Sequence, residues 1–311
     1  MKDFVVLTDS TCDLPESFQK EYGIIVLPGH VVLPDGKEIL QTPKWEHFTK
    51  EEFYKSLKKN PDGYKTSPAN VAEIKAKMEA ETAAGRGVIM ITISSAISGS
   101  PEFARQAMTL VKEANPQAEI AVVDSLRFGP GLGLMCMYAS MKRSEGLSMK
   151  ETVAWLEENK GRFHQAGWLD DLTFVAKKGR LTHAKAFFGT LAGVKPIGEF
   201  DYNGLTTVLG KAAGAKAAYE VLLQYMAETI ENPEEQIIMI AETFRYPQAE
   251  AYKTMIEEKF HPKAVYIQDV YPSCGVNIGP GLMAAYYVGK PISKDLSEER
   301  AIIEKALSSG K

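Results

Sequence analysis

Short apolar runs separated by longer amphipathic stretches make up the first half of the chain. Pro101 with Glu102 opens one of the helical stretches at positions that suit a helix N-terminus. The apolar runs are rich in β-branched residues and predict four strands, over 4–8, 24–27, 88–93 and 120–123. This β–α alternation predicts an α/β protein whose amino-terminal domain is a Rossmann-like, doubly wound parallel sheet.

Caps and turns dominate the stretch that follows the first strand. Asp13, with Glu16 three residues later, predicts a capping box for a helix that reaches Tyr22. Proline and glycine then punctuate residues 28–64, where only 50–58 has a helical pattern. The interpretation is a long irregular segment, of a kind that often covers a binding site.

The pattern changes near Gly167, which predicts two domains, residues 1–166 and 167–311. Apolar runs over 193–200 and 205–209 flank an Asp-Tyr-Asn-Gly loop, and this combination predicts a β-hairpin. Further helices are predicted near 131–144, 149–163, 212–231, 248–260 and 296–308, and further strands over 237–241 and 264–269. The carboxy-terminal domain is therefore expected to be α+β.

The composition of the chain excludes several classes of protein. The chain has 311 residues, 45% of them hydrophobic, and a net charge of -4, so it can bury a large core and lacks the basic surplus of a general nucleic-acid binder. Its densest basic cluster is Lys177, Lys178 and Arg180. The three cysteines are widely spaced, and neither a basic leader nor an apolar run of about 20 residues is present. These features predict a cytoplasmic protein.

Hydroxyl and acidic side chains follow the predicted strands of the first domain. Parallel strands end at one edge of their sheet, so the following side chains are expected to gather there: Asp9, Ser10, Ser94, Ser95, Asp124 and Ser125. Four serines lie in the segment 94–100, just before a helix start, where N–H groups and hydroxyls favour a carboxylate or a phosphate. The alternative interpretation is a well-capped turn with no ligand.

Motifs for catalysis are weak or missing. None of the five histidines has a hydrolase context, and there is no G-x-S-x-G elbow, P-loop or clustered metal-ligand motif. Residues 129–133 imitate a dinucleotide fingerprint, but Pro130 weakens the match and favours packing at a helix start. Asp170 and Asp171 are interpreted as solvated or capping groups. No catalytic residue, metal or cofactor is therefore predicted.

Neutral donors remain as the candidate chemistry: Thr66, Ser67, the serine segment, and Asn277 before Gly279-Pro-Gly281. A hydrogen bond from such a donor to a charged carboxylate contributes about 1.5–3 kcal/mol, which orients a head group. Tight binding then needs burial, and an acyl chain supplies about 0.8 kcal/mol per buried methylene. The apolar residues 184–194, with Phe187 and Phe188, are a candidate pocket lining, and ordinary core packing explains their composition equally well.

Seven motifs, spread in order over nearly the whole chain, resemble the DegV family of bacterial fatty-acid-binding proteins, the FakB-type subunits of fatty acid kinase. They are Thr8-Asp-Ser-Thr-Cys-Asp-Leu14, Lys65-Thr-Ser-Pro68, Ser94-Ser-Ala-Ile-Ser-Gly-Ser100, Val123-Asp-Ser125, Lys178-Gly-Arg-Leu181, Val194-Lys-Pro-Ile197 and Gly279-Pro-Gly281. The resemblance implies a Rossmann-like α/β domain followed by an α+β domain that buries the acyl chain.

The resemblance also implies roles for individual residues. Thr66 and Ser98, together with Ser95 and Asn277, would bind the fatty acid carboxylate, and Arg180 would engage the partner. That partner is a separate ATP-dependent fatty acid kinase subunit, which makes an acyl phosphate for phospholipid synthesis. The chain would be a substrate-presenting carrier without catalysis of its own, with transient membrane contact left open.

The chain also departs from the family pattern. Asn277 stands where the family usually has a histidine, Lys211-Ala212-Ala213 stands where an arginine is common, and a residue often found between Ser67 and Pro68 is missing. An asparagine amide can donate a hydrogen bond but supplies no positive charge. Two alternatives therefore stay open: a carrier of a different amphiphilic lipid, and an enzyme acting on a small anionic substrate at the strand-end crevice.

Overall fold

A computed structural model describes residues 3–181 and 193–309. The strands are β1 Phe4–Asp9, β2 Ile24–Leu27, β3 Gly29–Val32, β4 Glu38–Gln41, β5 Lys65–Ser67, β6 Gly87–Thr92, β7 Ile120–Asp124, β8 Phe163–Leu169, β9 Val194–Phe200, β10 Thr206–Ala213, β11 Ile237–Glu242, β12 Ala264–Asp269 and β13 Leu282–Val288. The α-helices are α1 Glu16–Tyr22, α2 Lys50–Lys59, α3 Val71–Ala83, α4 Ser100–Ala114, α5 Gly129–Ser144, α6 Met149–Asn159, α7 Thr173–Lys177, α8 Gly214–Thr229, α9 Tyr246–Phe260, α10 Pro272–Ile278 and α11 Ser297–Ser309.

The chain divides into two compact units, and each unit is made of segments that are not consecutive in the sequence. Unit 1 comprises residues 1–44, 62–160 and 271–273, and unit 2 comprises residues 45–61, 161–270 and 274–311. The boundary predicted at 166/167 falls inside β8, a strand of unit 2. None of the helices in the described ranges is both long and apolar enough to cross a bilayer.

Unit 1 is built on a parallel sheet with the strand order β2-β1-β6-β7. Strands β1 and β6 are buried along their whole length, because helices cover both faces of the sheet. Side chains of α3 and α4 pack on one face, where Val5, Val88 and Met90 meet Ile74 and Val111 in one core. Helices α5 and α6 contact the same strands. The predicted doubly wound parallel sheet is confirmed.

A second, antiparallel sheet in unit 1 contradicts the prediction that residues 28–64 are irregular. Its strand order is β4-β3-β5, and Gly36, with φ +84, lies in the turn between β3 and β4. The strands have three or four residues each, too short for a clear alternation. The pairing of β3 with β5, more than 30 residues further on, is a long-range contact that local periodicity does not reveal.

The predicted capping box at the first helix is also wrong. Helix α1 begins at Glu16 after Pro15, and no side chain in the described part of the chain caps it. Asp13 has left-handed backbone dihedrals, with φ +49, and its Oδ1 accepts a hydrogen bond from the Tyr271 amide at 3.0 Å. The Asp13 carboxylate, which the sequence pattern assigned to the helix N-terminus, therefore accepts a hydrogen bond from a backbone amide that is distant in the sequence.

Unit 2 contains a six-stranded mixed sheet with the order β10-β9-β8-β13-β11-β12. The predicted hairpin is confirmed: β9 and β10 pair antiparallel, with Phe200 opposite Thr206. Strands β8 and β13 were not predicted, and the helix expected over 149–163 ends at Asn159. The predicted helix start at 212 is also too early, because Ala212 still belongs to β10.

Candidate ligand-binding site

Asp9, the last residue of β1, organises the carboxyl edge of the parallel sheet. Its Oδ2 accepts hydrogen bonds from the Ile93 amide at 3.1 Å and the Ser100 hydroxyl at 2.8 Å. Its Oδ1 accepts the Thr11 amide at 3.1 Å and also the Thr11 hydroxyl. Four neutral donors thus satisfy one buried carboxylate, which ties β1 to the end of β6 and the start of α4.

The serine segment after β6 forms a compact turn at this edge. The Ser94 carbonyl accepts the Ser98 amide at 3.1 Å, and the Ser95 amide donates to Asp124 at 3.2 Å. The Ser98 hydroxyl oxygen accepts the Ser100 amide at 3.2 Å. Among residues 3–181 and 193–309 the structure gives the Ser98 hydroxyl hydrogen no acceptor. Ser98 therefore has a donor to offer to a ligand, and Ser95 is exposed beside it.

Thr66 lies on β5, on the other side of the end of β1. Strand β5 pairs with β3, with Thr66 opposite Val31. A Cβ on Gly29, the first residue of β3, would lie 2.6 Å from the Ser10 hydroxyl and 3.4 Å from the Ser67 carbonyl. Glycine at this position therefore allows the Thr66 strand and the residue after β1 to approach closely. The structure thus brings the segments of Thr66 and Ser98 to the two sides of β1.

A pair of buried hydroxyls at this edge is not predicted from the sequence. The Ser10 and Ser273 hydroxyls are 2.8 Å apart and buried. Ser273 precedes Asn277 by four residues at the start of α10. A serine that follows a proline at a helix start carries no distinctive signal, so only the contact with Ser10 identifies it.

Asn277 and the Gly279-Pro-Gly281 turn lie in unit 2. Gly279 and Gly281 have φ values of +75 and +105, and the Gly281 amide donates to the Thr243 carbonyl at 2.8 Å. A Cβ on Gly279 would overlap the ring of Phe174, and one on Gly281 would lie 2.7 Å from the Asp170 Cβ. Both glycines are required by backbone conformation and by close packing. They fix the end of the helix that carries Asn277, which is half-buried.

Arg180, also in unit 2, follows a tight turn at the end of α7. Gly179 has φ +72, as a helix-terminating glycine requires, and the Arg180 amide donates to the Val175 carbonyl at 3.0 Å. The guanidinium hydrogen-bonds the Lys178 carbonyl. Partial burial lowers the pKa of Arg180 below its ordinary value. The helix C-terminus thus orients this cation.

The strand ends of unit 2 carry an ion-pair network. Lys50 bridges the carboxylates of Glu242 and Asp269, the last residues of β11 and β12. The Trp45 indole N–H donates to Asp269 at 2.7 Å, and Glu242 is fully buried. Because each acid here is paired with a cation or a ring N–H, the network is a structural group with little charge left for a ligand.

Asp170 extends this network, which corrects its interpretation as a solvated group. Its carboxylate pairs with Lys195 and Arg245. Burial alone would raise the pKa of Asp170, but the hydrogen bonds from Lys195 and Arg245 hold it below its ordinary value. Its neighbour Asp171 does act as a cap, since its Oδ1 accepts the Thr173 amide at 2.8 Å.

The buried thiols are poor nucleophiles. Burial raises the pKa of Cys136 to about 12 and that of Cys12 well above its ordinary value. Both stay protonated at neutral pH, whereas the thiolate is the reactive form. Over the described ranges, no group of three acidic, histidine or cysteine side chains has the geometry to hold a metal ion.

The predicted site residues fall into two sets. Thr66, Ser95 and Ser98 lie in unit 1, and Asn277 and Arg180 lie in unit 2. Phe187 and Phe188, the candidate lining residues, lie outside the described residues.

Fold and site together define a two-unit α/β protein that presents neutral hydroxyl donors at the carboxyl edge of a parallel sheet. The chain belongs to the DegV family: the family model described as "Uncharacterised protein, DegV family" matches residues 3–290. A DegV domain-containing protein of Clostridium perfringens is 31% identical over 291 residues, which are 93% of this chain and 98% of the relative.

Solved structures of other proteins share the fold. A DegV family protein from Thermus thermophilus, described as fatty-acid binding, aligns with a TM-score of 0.82 at 22% identity, over 92% of this chain and 99% of that one. The fatty acid kinase B3 protein of Streptococcus pneumoniae, loaded with linoleic acid, aligns with a TM-score of 0.78 at 18% identity, over 93% and 100% of the two chains. The fold class predicted from the sequence is confirmed over nearly the whole length of these proteins.

Proposed function

We propose that this protein is a cytoplasmic carrier that binds a long-chain fatty acid and presents it to a separate, ATP-dependent fatty acid kinase. Thr66, Ser95 and Ser98 of unit 1, with Asn277 of unit 2, are the proposed ligands of the carboxylate. The acyl chain is assigned to the carboxy-terminal half, residues 167–311. Family membership and the fatty acids bound by relatives of the same fold support the proposal.

The single observation that carries the proposal is the state of the Ser98 hydroxyl. Asp9 and Asp124 accept backbone and hydroxyl donors of their own edge, while the hydroxyl hydrogen of Ser98 has no acceptor among the described residues. A carboxylate is the complement of such a donor, and a hydrogen bond to it contributes about 1.5–3 kcal/mol. The acyl chain then supplies the rest of the affinity through burial.

The enzyme alternative has less support. Hydrolysis through a covalent intermediate needs a nucleophile with an adjacent base, but the two thiols of unit 1 discussed above are protonated. Within residues 3–181 and 193–309, the hydroxyl of Ser98 has no histidine among its hydrogen-bond partners. A carrier of another amphiphilic carboxylic acid would use the same donors, and the acyl preference depends on the shape of the pocket.

Two measurements test the carrier function. In one, lipid is extracted from the purified full-length protein and identified by mass spectrometry. In the other, the delipidated protein is titrated with oleate. A stoichiometric fatty acid, or saturable uptake of oleate, is the expected result. Thr66→Ala and Ser98→Ala should each weaken oleate binding by about 10-fold or more, whereas Thr66→Ser keeps the hydroxyl and most of the affinity. A protein that neither contains nor takes up fatty acid refutes the proposal.

The presentation step is tested separately at Arg180. Arg180→Ala is expected to bind oleate like the wild type but to support slower acyl phosphate formation by the kinase subunit of the same organism. Lys177→Ala, three residues away, is the matched control, because it removes an exposed cation of the same cluster that lies outside the motif Lys178-Gly-Arg-Leu181. Equal acyl phosphate rates for Arg180→Ala and the wild type would contradict the partner role and leave fatty acid binding untouched.

A further inference from the structure

His30 connects three elements of unit 1 through both of its ring nitrogens. Nδ1 lies 2.8 Å from the Glu38 carboxylate on β4, and Nε2 lies 3.0 Å from the Glu73 carboxylate on α3. His30 itself is on β3, and its side chain is only 14% exposed. No role is predicted for this histidine from the sequence.

The two contacts require a protonated ring. A neutral imidazole has one N–H and one bare nitrogen, so it can donate to only one of the two carboxylates. The second nitrogen would then face carboxylate oxygens with no hydrogen between them. The imidazolium donates to both, so the bridge from β4 to α3 is complete only when His30 is charged.

The bridge closes a ring of contacts around Thr66. Strand β3 pairs with β5 on the side opposite β4, with His30 opposite Ser67. After β5 the chain reaches Asn70, whose amide donates at 2.7 Å to the same Glu73 oxygen that contacts His30. Thr66 is therefore held from β3 on one side and from the start of α3 on the other, and His30 joins these two supports.

We propose that His30 is a positioning residue for Thr66. Protonated His30 holds the β5 strand in place, which makes ligand binding dependent on pH. The inference rests on the proposed carboxylate role of Thr66. Loss of the His30 proton breaks one arm of the bridge, frees β5 to shift relative to the serine segment, and weakens binding.

The charged surroundings of His30 favour the protonated form. Among the described residues, the charged groups that face it are Glu73 from α3 and Glu38 from β4, while its partner on β5, Ser67, is uncharged. The hydrogen bond with Glu73 raises the pKa of His30; burial opposes this, and Glu38 adds to the rise. Because the folded-state pKa is raised, the stabilisation is fully present below about pH 6.5, the ordinary value, and is lost as the pH rises through the folded-state pKa.

The test compares oleate affinity of the full-length protein at pH 6 and pH 9. The wild type is expected to lose about 5-fold more affinity over this interval than His30→Gln, which is neutral throughout. Ionisation of oleate itself affects both proteins equally. His47→Gln, at an exposed histidine of unit 2, is the matched control and should keep the wild-type profile. Identical pH profiles for the wild type and His30→Gln would overturn the inference.

A double-mutant cycle separates positioning from general stability. If His30 acts through Thr66, His30→Gln should change the pH profile little in the Thr66→Ala background. An undiminished effect in that background would contradict the coupling. Should His30→Gln fail to fold, Glu38→Gln serves instead: it removes one carboxylate, lowers the pKa of His30, and should move the loss of affinity to lower pH.

Failure of the carrier function can be distinguished from failure of this inference. Hydrogen exchange of the β5 amides in ligand-free protein, measured relative to His30→Gln at each pH, reports the tightening without any lipid. Extra protection of β5 at pH 6 that disappears by pH 9 supports the inference even if oleate does not bind. Equal protection in both proteins at pH 6 overturns it even if oleate binds well.

Discussion

The two main sheets of this protein both end in acidic residues, but they satisfy them differently. In unit 1, Asp9 and Asp124 accept hydrogen bonds from backbone amides and hydroxyls. In unit 2, Glu242 and Asp269 share Lys50, and Asp170 pairs with Lys195 and Arg245. The same topological position therefore holds a neutral-donor edge in one unit and an ion-pair edge in the other.

The difference supports the proposal that the ligand binds at the unit 1 edge. At the unit 2 edge, the cationic side chains are already paired with carboxylates of the protein itself. An incoming carboxylate would have to compete with these carboxylates. At the unit 1 edge the acids are satisfied by groups that belong to the turns, and hydroxyls of the same turns remain to donate outward. The ion-pair edge therefore contributes to stability, and the neutral-donor edge is the one that fits the proposed binding of a carboxylate.

The largest expected effect breaks the ion-pair edge at Lys50. Lys50→Met leaves the fully buried Glu242 without its cation, and loss of one partner from a buried pair costs about 3–5 kcal/mol. Thermal and urea unfolding of the full chain should show a lower midpoint for unit 2. The double variant Lys50→Met/Glu242→Gln should recover part of the loss, because it removes the orphaned charge.

The control for this variant is a partly exposed ion pair. Lys75 and Glu79 form a pair on the surface of α3 at 2.6 Å, and Lys75→Met is expected to cost less than about 0.5 kcal/mol. Similar losses of unfolding free energy for Lys75→Met and Lys50→Met would mean that burial does not make the Lys50 ion pair more stabilising than a surface pair.

A smaller effect is expected at the neutral-donor edge, from Asp9→Asn. An amide replaces one carboxylate oxygen with a donor, so at least one of the Ile93, Ser100 and Thr11 donors loses its acceptor. We expect a loss of about 1–3 kcal/mol in unfolding free energy and weaker oleate binding, because the serine turn is anchored there. The measurements are chemical unfolding and oleate titration.

Asp124→Asn is the matched control for Asp9→Asn. The carboxylate of Asp124 accepts the Ser95 and Leu126 amides through a single oxygen, so an asparagine can keep both bonds. It should therefore leave stability and oleate affinity nearly unchanged. If Asp124→Asn were the more damaging of the two, the role given to Asp9 as the anchor would be wrong.

The smallest effect concerns the neutral character of the proposed ligand donors. Asn277→His introduces a group that can carry positive charge where the present amide cannot. We expect oleate affinity to rise by up to about 10-fold at pH 6, where the imidazole is protonated, and to return towards the wild-type value at pH 8. Asn277→Gln, which stays neutral, should keep the pH profile of the wild type. A pH-independent change in Asn277→His would place residue 277 away from the carboxylate.

Local signals predicted the candidate site only in part. The serine turn could be predicted because an apolar run, four serines and a helix start are adjacent in the sequence. Ser273 and His30 could not, because their partners are 263 and 43 residues away. Asp13 shows the opposite error: its spacing to Glu16 is ideal for a cap, yet the Tyr271 amide takes its carboxylate.

Periodicity and turn chemistry within a few residues predict the parallel sheet of unit 1, its acidic and hydroxyl strand ends, and the β9–β10 hairpin. Contacts between residues far apart in the chain are needed for the β4-β3-β5 sheet, the buried strand β8 and the ion-pair edge of unit 2. Strand β8 contains the buried His164, whose ring contacts the Glu199 carboxylate on β9, and the same carboxylate accepts the backbone N–H of Gln165. A polar residue is placed inside a protein by its partners, and those partners are brought to it by the fold.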